Sequence, residues 1–427
     1  MSGYRKRSQA PLLRFPEFRN AEPWSYQPLG KLAKRSTRKN TDRKITRVLT
    51  NSAEYGVIDQ RDFFDKDIAN QGNLEGYYIV EEGCYVYNPR ISAIAPVGPI
   101  SKNRIGPGVM SPLYTVFKFN SNKNDFYAHY FKSAHWHQYM RQASSTGARH
   151  DRMSITNDDF MGLPLPVSTP EEQQKISDCL SSIDELITAE ARKLDALKTH
   201  KRGLMQQLFP CKDEAVPQLR APEFQEAEPW EVKPFERLVV KSFYGTSSST
   251  SDVGKYPVLR MGNMVDGGLK FSNLAYIDLD ADSFSRIRLV RGDILLNRTN
   301  SLDLVGKISI FDRDIECIAA SYIVTYRLDK KQVIPKFCNF MLNTPQYQKK
   351  IRALARPSIS QANINPTTFK NELTIPLPCI AEQQWIVSCF SFLDEKIAVQ
   401  TQKVESLKIH KKGLMQQLFP ALDEVSV

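Results

Sequence analysis

The octapeptide Gly-Leu-Met-Gln-Gln-Leu-Phe-Pro occupies residues 203–210 and returns unchanged at residues 413–420. Eight identical residues in one order are far beyond chance, so the chain contains an internal duplication. Upstream of the octapeptide, Glu-Gln-Gln at residues 172–174 returns at residues 382–384, with the same offset of 210. The duplication therefore includes the whole stretch between these motifs in each half of the 427-residue chain.

A further repeated motif lies near the start of each half. Pro-Glu-Phe-Arg-Asn-Ala-Glu-Pro-Trp at residues 16–24 returns as Pro-Glu-Phe-Gln-Glu-Ala-Glu-Pro-Trp at residues 222–230, with an offset of 206. Residues 25–163 and 231–375, which lie between the motifs, are similar in length but not in sequence. A duplicated enzyme would more often keep its active-site residues in both halves. Constant motifs with divergent segments between them instead favour a protein that binds two different targets.

Residues 170–208 predict one long helix, because apolar residues recur at alternating steps of four and three. Thr169 and Pro170 supply a cap and a proline at the first helical position, and Pro210 marks the end. The second copy has the same spacing of apolar residues. The apolar positions of the two copies are Ile176, Leu180, Ile183, Ile187, Leu194, Leu197, Leu204, Ile386, Phe390, Leu393, Ile397, Val404, Leu407 and Leu414.

Polar residues interrupt both apolar seams at equivalent places, Glu190 and Lys201 in the first copy and Gln400 and Lys411 in the second. Such interruptions fix register and partner choice at some cost in stability. A helix of about 58 Å, at ~1.5 Å per residue, with one apolar seam needs a partner, and the other copy can supply it. We expect an antiparallel pair with one globular domain at each end. A parallel pair, with both domains at one end, is the alternative.

The two divergent segments predict α+β domains, each with a twisted sheet. Both contain short runs of β-branched and aromatic residues bounded by turn residues, followed by a stretch with helical spacing. The strand-like runs are residues 76–80, 83–87, 113–119, 258–261, 292–296, 306–310 and 322–326, and the helical stretches are residues 125–143 and 335–354.

The formal net charge of +11 favours a polyanionic partner, with nucleic acid ahead of an anionic membrane surface. Basic residues are dense between residues 34 and 47, and a polar, basic loop follows each helical stretch. Such a loop is either solvated or in contact with DNA, and its equivalent position in both halves favours DNA. The candidate DNA-binding residues are Lys34, Arg35, Arg38, Lys39, Arg43, Lys44, Ser145, Arg149, Arg152, Arg298, Arg356, Ser358, Gln361 and Asn363.

The seven cysteines are odd in number and form no Cys-x-x-Cys pair, so we expect neither a zinc site nor a disulfide framework. No apolar run follows the basic N-terminus, and none approaches the ~20 residues of a membrane span. We therefore expect a cytoplasmic protein without membrane contact.

Motifs for catalysis are also missing from the sequence. His129, His135 and His137 are near one another but lack suitably spaced cysteine or carboxylate ligands, so no metal site is expected. The chain has no phosphate-binding loop, no dinucleotide fingerprint and no nucleophile elbow. We do not expect it to be an autonomous enzyme.

These motifs resemble those of the specificity (S) subunit of type I restriction–modification systems. The resemblance rests on the Pro-Glu-Phe segments with Trp24 and Trp230, on the proline-flanked Glu-Gln-Gln motifs, and on the repeated helix ends. It covers almost the whole chain. Trp385 departs from the basic residue that is usual at its place, which is a minor deviation.

The resemblance implies that the chain recognises the DNA sequence and does not itself catalyse a reaction. Each globular segment would be a target-recognition domain for one half of a bipartite double-stranded DNA sequence. The helices would form a spacer that docks two methyltransferase (M) subunits and sets the half-site separation, about one DNA turn or ~34 Å. S-adenosylmethionine would bind to the M subunits, which methylate adenine. ATP and Mg would serve the restriction (R) subunits, so no cofactor and no metal is expected in this chain.

The expected fold class is therefore α+β, with two target-recognition domains joined by two long helices that form an antiparallel coiled coil, in a pseudo-twofold internal repeat. The expected ranges are a repeat motif at 1–24, a recognition domain at 25–168, a spacer helix at 169–210, a linker with the second motif at 211–230, a recognition domain at 231–379, a spacer helix at 380–420 and a tail at 421–427.

Two other functions stay open. One is a stand-alone DNA-binding structural or regulatory protein that dimerises through its helices. The other is an enzyme, such as a nuclease, with an unrecognised site.

Overall fold

The computed structural model describes residues 10–63, 74–144, 151–211, 214, 216–301, 304–357 and 361–420. The chain divides into two compact units: unit 1 contains residues 1–191 and 402–427, and unit 2 contains residues 192–401. Both boundaries fall inside long helices, so each unit contains the start of one helix and the end of the other. The ranges expected from the sequence, which treat each helix as a separate segment, stay predictions.

Unit 1 is built around a four-stranded antiparallel sheet with the strand order β2-β9-β6-β7. Its elements are β1 (Ser25–Pro28), α1 (Leu29–Leu32), β2 (Ala33–Arg35), β3 (Leu49–Ser52), β4 (Gly56–Asp59), α2 (Gln60–Phe63), β5 (Tyr78–Val80), β6 (Tyr85–Tyr87), β7 (Ile100–Lys102), β8 (Gly108–Met110), β9 (Thr115–Phe119), α3 (Asp125–Tyr130), α4 (His137–Ala143), α5 (Asn157–Met161), β10 (Pro164–Val167) and the start of α6 (Pro170–Leu208).

The central sheet of unit 1 is covered on both faces. Tyr85 of β6 is paired with Phe117 of β9, and both belong to an aromatic cluster that includes residues of α3 and α4. Val86 points to the opposite face and packs in a second cluster with Leu49 and Met110. Because side chains alternate between the faces of a strand, two covered faces require a strand that is apolar throughout. This explains why β6 reads Tyr-Val-Tyr.

Unit 2 repeats this arrangement with different residues, and its central sheet has the order β12-β21-β17-β19. Its elements are β11 (Glu231–Pro234), β12 (Val239–Tyr244), β13 (Tyr256–Leu259), β14 (Met264–Val265), β15 (Gly268–Leu269), β16 (Ala275–Ile277), α7 (Ala281–Ile287), β17 (Ile294–Asn297), β18 (Thr299–Asn300), β19 (Ile308–Ile310), β20 (Ile318–Ala319), β21 (Ile323–Leu328), α8 (Pro335–Leu342), α9 (Pro345–Ala353), β22 (Ala355–Pro357), β23 (Ala362–Ile364), α10 (Pro366–Glu372), β24 (Thr374–Leu377) and the start of α11 (Ile380–Leu418).

The core of unit 2 is again divided by its sheet. Ile294 and Tyr326, which are paired across β17 and β21, belong to the large cluster that contains α8. Leu295 points to the other face and packs against Leu259 and Phe311. A short antiparallel ribbon joins the entry and exit of each domain, β1 with β10 in unit 1 and β11 with β24 in unit 2. The predicted α+β class and the predicted strands are confirmed.

Two predicted helical stretches are wrong in extent. Residues 125–143 form the separate helices α3 and α4, and residues 335–354 form α8 and α9. After α3, the hydroxyl of Ser133 donates to the carbonyl of Tyr130 over 2.7 Å, in place of a continuing helical bond. Between α8 and α9, Thr344 caps the new helix and Pro345 occupies its first turn. The apolar spacing continues through both breaks and therefore conceals them.

The two long helices, α6 and α11, each contain 39 residues, and the start and end predicted for the first are confirmed. In unit 1, Asp184 and Glu190 of α6 form ion pairs with Lys411 and Lys403 of α11, respectively. Residue numbers rise along one helix and fall along the other, so these segments run antiparallel.

The helix segments of unit 2 also run antiparallel. Lys201 forms an ion pair with Asp394, and the ring of Phe209 stacks on that of Phe390 with 5.8 Å between centroids. Every predicted apolar seam residue is buried or half-buried. No helix in the described part of the chain combines the length and the hydropathy that a membrane crossing needs.

Replacing Leu407 by Asp is expected to destabilise unit 1, because it puts a charge on the half-buried seam. We expect a loss of about 2–3 kcal/mol, or roughly 5–10 °C in Tm. Ile409→Asp is the matched control, since Ile409 lies on the same helix and is 71% exposed. Thermal melts monitored by circular dichroism test this. Equal Tm values for the two variants would contradict the seam.

Candidate nucleic-acid interface and helix clasp

A buried carboxylate joins two of the repeated motifs in unit 1. Glu172, in the first turn of α6, has a side chain with 0% exposure. Arg14 donates two hydrogen bonds to this carboxylate, over 2.6 Å from Nε and 2.8 Å from Nη2. The indole N–H of Trp24 donates to the same carboxylate over 3.0 Å. Arg14 also donates to the carbonyls of Ala21 and Glu22, which closes the segment between the arginine and the tryptophan.

The same arrangement recurs in unit 2 with equivalent residues. Arg220 donates to both carboxylate oxygens of Glu382, at 2.8 and 2.7 Å, and Trp230 donates to it at 3.3 Å. Arg220 likewise donates to the carbonyls of Ala227 and Glu228. The hydrogen bonds to the glutamate raise the pKa of the arginine in both units. We call each Arg–Glu–Trp set the clasp.

The third repeated motif, the octapeptide, reaches the same place in each unit. In unit 1, the N–H of Leu13 donates to the carbonyl of Gln417, and Phe419 is buried against the ring of Phe126. In unit 2, the N–H of Leu219 donates to the carbonyl of Gln207. All three motifs therefore meet around the start of one helix and the end of the other. The sequence displays the motifs as repeats, but it does not show that they touch.

The polar interruptions of the seams are paired. Lys411, which is 8% exposed, contacts Asp184, and Lys201 contacts Asp394. Glu190 contacts Lys403. If one helix shifted along the other, the buried lysine would lose its acidic partner. A buried cation without a partner is costly, so the ion pair opposes the shift. These contacts agree with a role in register, which stays a prediction.

The dense basic run of unit 1 is largely occupied by ion pairs. Lys34 and Arg35 lie on β2, and the residues after them run beside β5. Arg38 lies 3.9 Å from Glu81, Lys44 lies 3.1 Å from Asp42, and Arg43 pairs with Glu75. Lys39 forms an isolated β-bridge with Tyr78. Their role in DNA binding stays a prediction, and the pairing with acids reduces the positive charge that they present.

The candidates of unit 2 come together on one small sheet with the order β18-β23-β22. Thr299, Asn363 and Arg356 are directly opposite one another across its three strands. The hydroxyl of Thr299 donates to Oδ1 of Asn363 over 2.6 Å. Gln361 is exposed just before β23, and the guanidinium of Arg298, just before β18, lies 5.4 Å from the ring centroid of Tyr244.

In unit 1 the remaining described candidate, Arg152, forms an isolated antiparallel bridge with Arg90. Arg90 is exposed and Arg152 is half-buried. Sequence reasoning missed Arg90, because it lies 62 positions away along the chain. The candidates Ser145, Arg149 and Ser358 lie outside the described residues.

An open cavity of about 380 Å³ lies beside the small sheet of unit 2. Arg260, Lys270, Asn273 and Tyr322 contribute to its lining, and none of the described lining residues is acidic. The backbone connects it to the sheet, since the N–H of Arg298 donates to the carbonyl of Tyr322 over 3.0 Å. Arg260 and Lys270 are absent from the sequence-derived candidates, because neither lies in a basic run.

The three histidines of unit 1 do not gather around a metal site, and no group of metal-ligating side chains occurs among the described residues. His129 is buried on α3, with Nε2 at 3.1 Å from the hydroxyl of Ser181. Burial, with Lys411 and Lys132 nearby, lowers the pKa of His129 from 6.5 to about 4. The side chain is therefore neutral at neutral pH.

The family described as type I restriction modification DNA specificity domain matches this chain twice, at residues 22–199 and 229–408. Each match contains one divergent segment and most of one long helix. The chain belongs to this family of specificity subunits. Each match contains one target-recognition domain, the first in unit 1 and the second in unit 2.

Two curated relatives come from Methanocaldococcus jannaschii. The MjaX type I restriction enzyme specificity subunit is 28% identical over 195 residues, which cover 45% of this chain and 46% of that subunit. The MjaVIII specificity subunit is 26% identical over 283 residues, 65% of each chain. The aligned part thus spans less than two thirds of either relative.

Solved structures extend the likeness over nearly the whole chain. The S subunit of a type I system from M. genitalium superposes with a TM-score of 0.54 at 13% identity, covering 96% of this chain and 99% of that one. A chain from a study of assembly and conformational transition of the type I R-M system gives a TM-score of 0.56 at 14% identity, covering 92% and 97%. At such low identity these likenesses show a shared fold.

Removing the arginine of a clasp is expected to destabilise its unit strongly. Arg220→Met leaves the carboxylate of Glu382 buried without its bidentate donor, at a cost of about 3–5 kcal/mol. The double variant Arg220→Met/Glu382→Leu should recover part of this loss, because it removes the orphaned charge. Urea denaturation measures the effect, with exposed Arg237→Met as the control. A single variant no less stable than that control would show that the clasp does not support the fold.

The stability of unit 1 is expected to fall in mild acid. The pKa of His129 is lower in the folded state than in the unfolded state, so its contribution is complete above pH 6.5 and is lost as pH falls towards about 4. The loss from this residue should be on the order of 3 kcal/mol. His129→Phe, which puts an apolar ring in place of the buried imidazole, should reduce the pH dependence measured by denaturation at several pH values. Exposed His410→Phe is the control, and equal pH dependence in the two variants would contradict the assignment.

Proposed function

We propose that the chain is the DNA-addressing subunit of a type I restriction–modification complex, with each recognition domain binding one half of a bipartite double-stranded DNA sequence. The observation that carries this proposal is one scaffold built twice with different polar surfaces. The clasp, the helix ends and the sheet order recur in both units. The polar residues just beyond the central sheet, which are exposed or half-buried, do not recur: Arg90 and Arg152 in unit 1 contrast with Thr299 and Asn363 in unit 2.

The partners follow from this role. We propose that the long helices dock two M subunits, which would bind S-adenosylmethionine and methylate adenine in the addressed sequence. R subunits, with ATP and Mg, would add translocation and cleavage. The chain itself would contribute no catalytic group and hold no cofactor. The proposed place of action is the cytoplasm, where DNA and the other subunits are accessible.

We further propose that the long helices set the half-site separation. Each has 39 residues, about 58 Å at ~1.5 Å per residue. Half-sites read from one side of DNA lie about one turn, ~34 Å, apart. The clasps support this proposal, since each joins the start of a helix to the motif that precedes its recognition domain. The number of base pairs between the half-sites would then depend on the helix frame and not on the recognition residues.

Sequencing of methylated DNA from isogenic strains with and without this chain tests the proposal. Deletion should abolish adenine methylation at one split motif that has two specified parts and an unspecified spacer. Restoring the chain should restore the same motif. Deletion that leaves every methylated adenine motif in place would overturn the proposal.

Purification provides the second arm of the same test. The chain should co-purify with a methyltransferase subunit, and the chain alone should neither methylate nor cleave DNA. DNA binding without any methyltransferase partner would instead identify a stand-alone DNA-binding protein. Cleavage by the purified chain alone would identify an enzyme.

A further inference from the structure

A short antiparallel strand pair occupies the same topological position in each unit. In unit 2, the chain leaves β17 and pairs Thr299 with Asn363, and the N–H of Ile364 donates to the carbonyl of Arg298 over 2.8 Å. In unit 1, the chain leaves β6 and pairs Arg90 with Arg152. The N–H of Met153 donates there to the carbonyl of Pro89 over 2.9 Å. We call these the reading pairs.

Sheet register shows that the reading pairs are equivalent. Tyr85 of β6 lies between Phe117 and Lys102, as Ile294 of β17 lies between Tyr326 and Ile310. Arg90 is the fifth residue after Tyr85, and Thr299 is the fifth after Ile294. The hydrogen bonds on the other strand match Met153 with Ile364, and therefore Arg152 with Asn363. One scaffold thus presents two arginines in unit 1 and a threonine with an asparagine in unit 2.

The chemistry of the two pairs differs in the way that base recognition requires. An arginine presents parallel donors that match O6 and N7 of guanine. An asparagine amide presents one donor and one acceptor, which match N7 and N6 of adenine. The hydroxyl of Thr299 donates to Oδ1 of Asn363 and fixes that amide, while one lone pair of Oδ1 and the whole amino group have no other partner among the described residues.

The surroundings of the unit 2 pair suit a polyanion. Arg356 lies directly opposite Asn363 on the next strand and is exposed. The neighbouring cavity carries Arg260 and Lys270 without an acidic residue among its described lining. Cations beside an amide are the arrangement by which proteins hold phosphates while reading a base edge.

We propose that the reading pairs are base-reading sites, with Arg90 and Arg152 of unit 1 selecting guanine and Asn363 of unit 2, oriented by Thr299, selecting adenine. This inference rests on the proposed function. It adds which position in each domain reads a base and which base each position prefers. Arg260, Lys270 and Arg356 bind the phosphates beside the adenine that unit 2 reads.

The experiment expresses the full chain with its own methyltransferase subunits and measures methylation at every single-base variant of the split motif. Asn363→Ala should lower the preference for one A·T pair, other than the methylated one, by roughly tenfold or more in one half-site. Arg152→Ala should do the same for one G·C pair in the other half-site. Asn363→Gln and Arg152→Lys should retain the preferences, because these side chains can also bind adenine and guanine, respectively.

Matched control variants distinguish a specific loss of base preference from a general loss of protein stability. Asn371→Ala changes an exposed asparagine on α10. Arg104→Ala changes an exposed arginine whose partner, Asp125, keeps an ion pair with Lys102. Both controls should leave every base preference unchanged. Co-purification with the methyltransferase subunits shows that each variant is folded.

The outcomes distinguish the inference from the function on which it rests. If the wild-type chain specifies a split motif and neither alanine variant alters a base preference, the reading pairs are refuted and the proposed function stands. Relaxation at a G·C pair by Asn363→Ala, or at an A·T pair by Arg152→Ala, also refutes the assignment. If the wild-type chain specifies no motif at all, the proposed function itself fails.

Discussion

The structure depends on two buried glutamates. A carboxylate removed from water is costly unless it is paired and its lone pairs are satisfied. Glu172 and Glu382 meet this condition with a bidentate arginine and an indole N–H, the arginine lying two residues before the Pro-Glu-Phe motif and the indole belonging to the tryptophan that ends it. The carboxylate therefore determines where the motif docks. The arginine, through its bonds to two carbonyls, also determines the shape of that motif.

The clasp explains why the repeated motifs are constant while the domains between them diverge. Hydrogen bonds constrain the geometry of every clasp residue. A change in one residue therefore leaves the polar groups of the other two buried without a partner. The sheets are constrained more loosely. β6 reads Tyr-Val-Tyr and the first three residues of its counterpart β17 read Ile-Leu-Leu, and both meet the requirement for apolar side chains on two covered faces. The repeated motifs thus depend on a specific polar geometry, whereas the sheet cores need only apolar side chains of suitable volume that alternate between the two faces.

This division of constraints suits a protein that must recognise different partners on one scaffold. The reading pairs lie just beyond the central sheet, where the backbone is fixed by hydrogen bonds but the side chains are at least partly exposed. Their identity can change without a change in the core. The helix pairs, in contrast, combine apolar seams with the buried Lys411 and the half-buried Lys201, each paired with an aspartate, so we expect both packing and charge to oppose a change of register.

The amino-acid sequence alone predicts the duplication, the bounds of the first long helix, the α+β class, the strands and the family, because periodicity and repetition are local properties of a chain. Tertiary structure alone decided what depends on contacts between distant residues. It brought the three repeated motifs together around each clasp and paired the basic run of unit 1 with acids. It also brought Arg90 beside Arg152 and Lys270 beside Arg260. The helical breaks at Ser133 and Thr344 cannot be predicted from apolar spacing, because that spacing indicates burial, whereas a break depends on which group accepts each hydrogen bond.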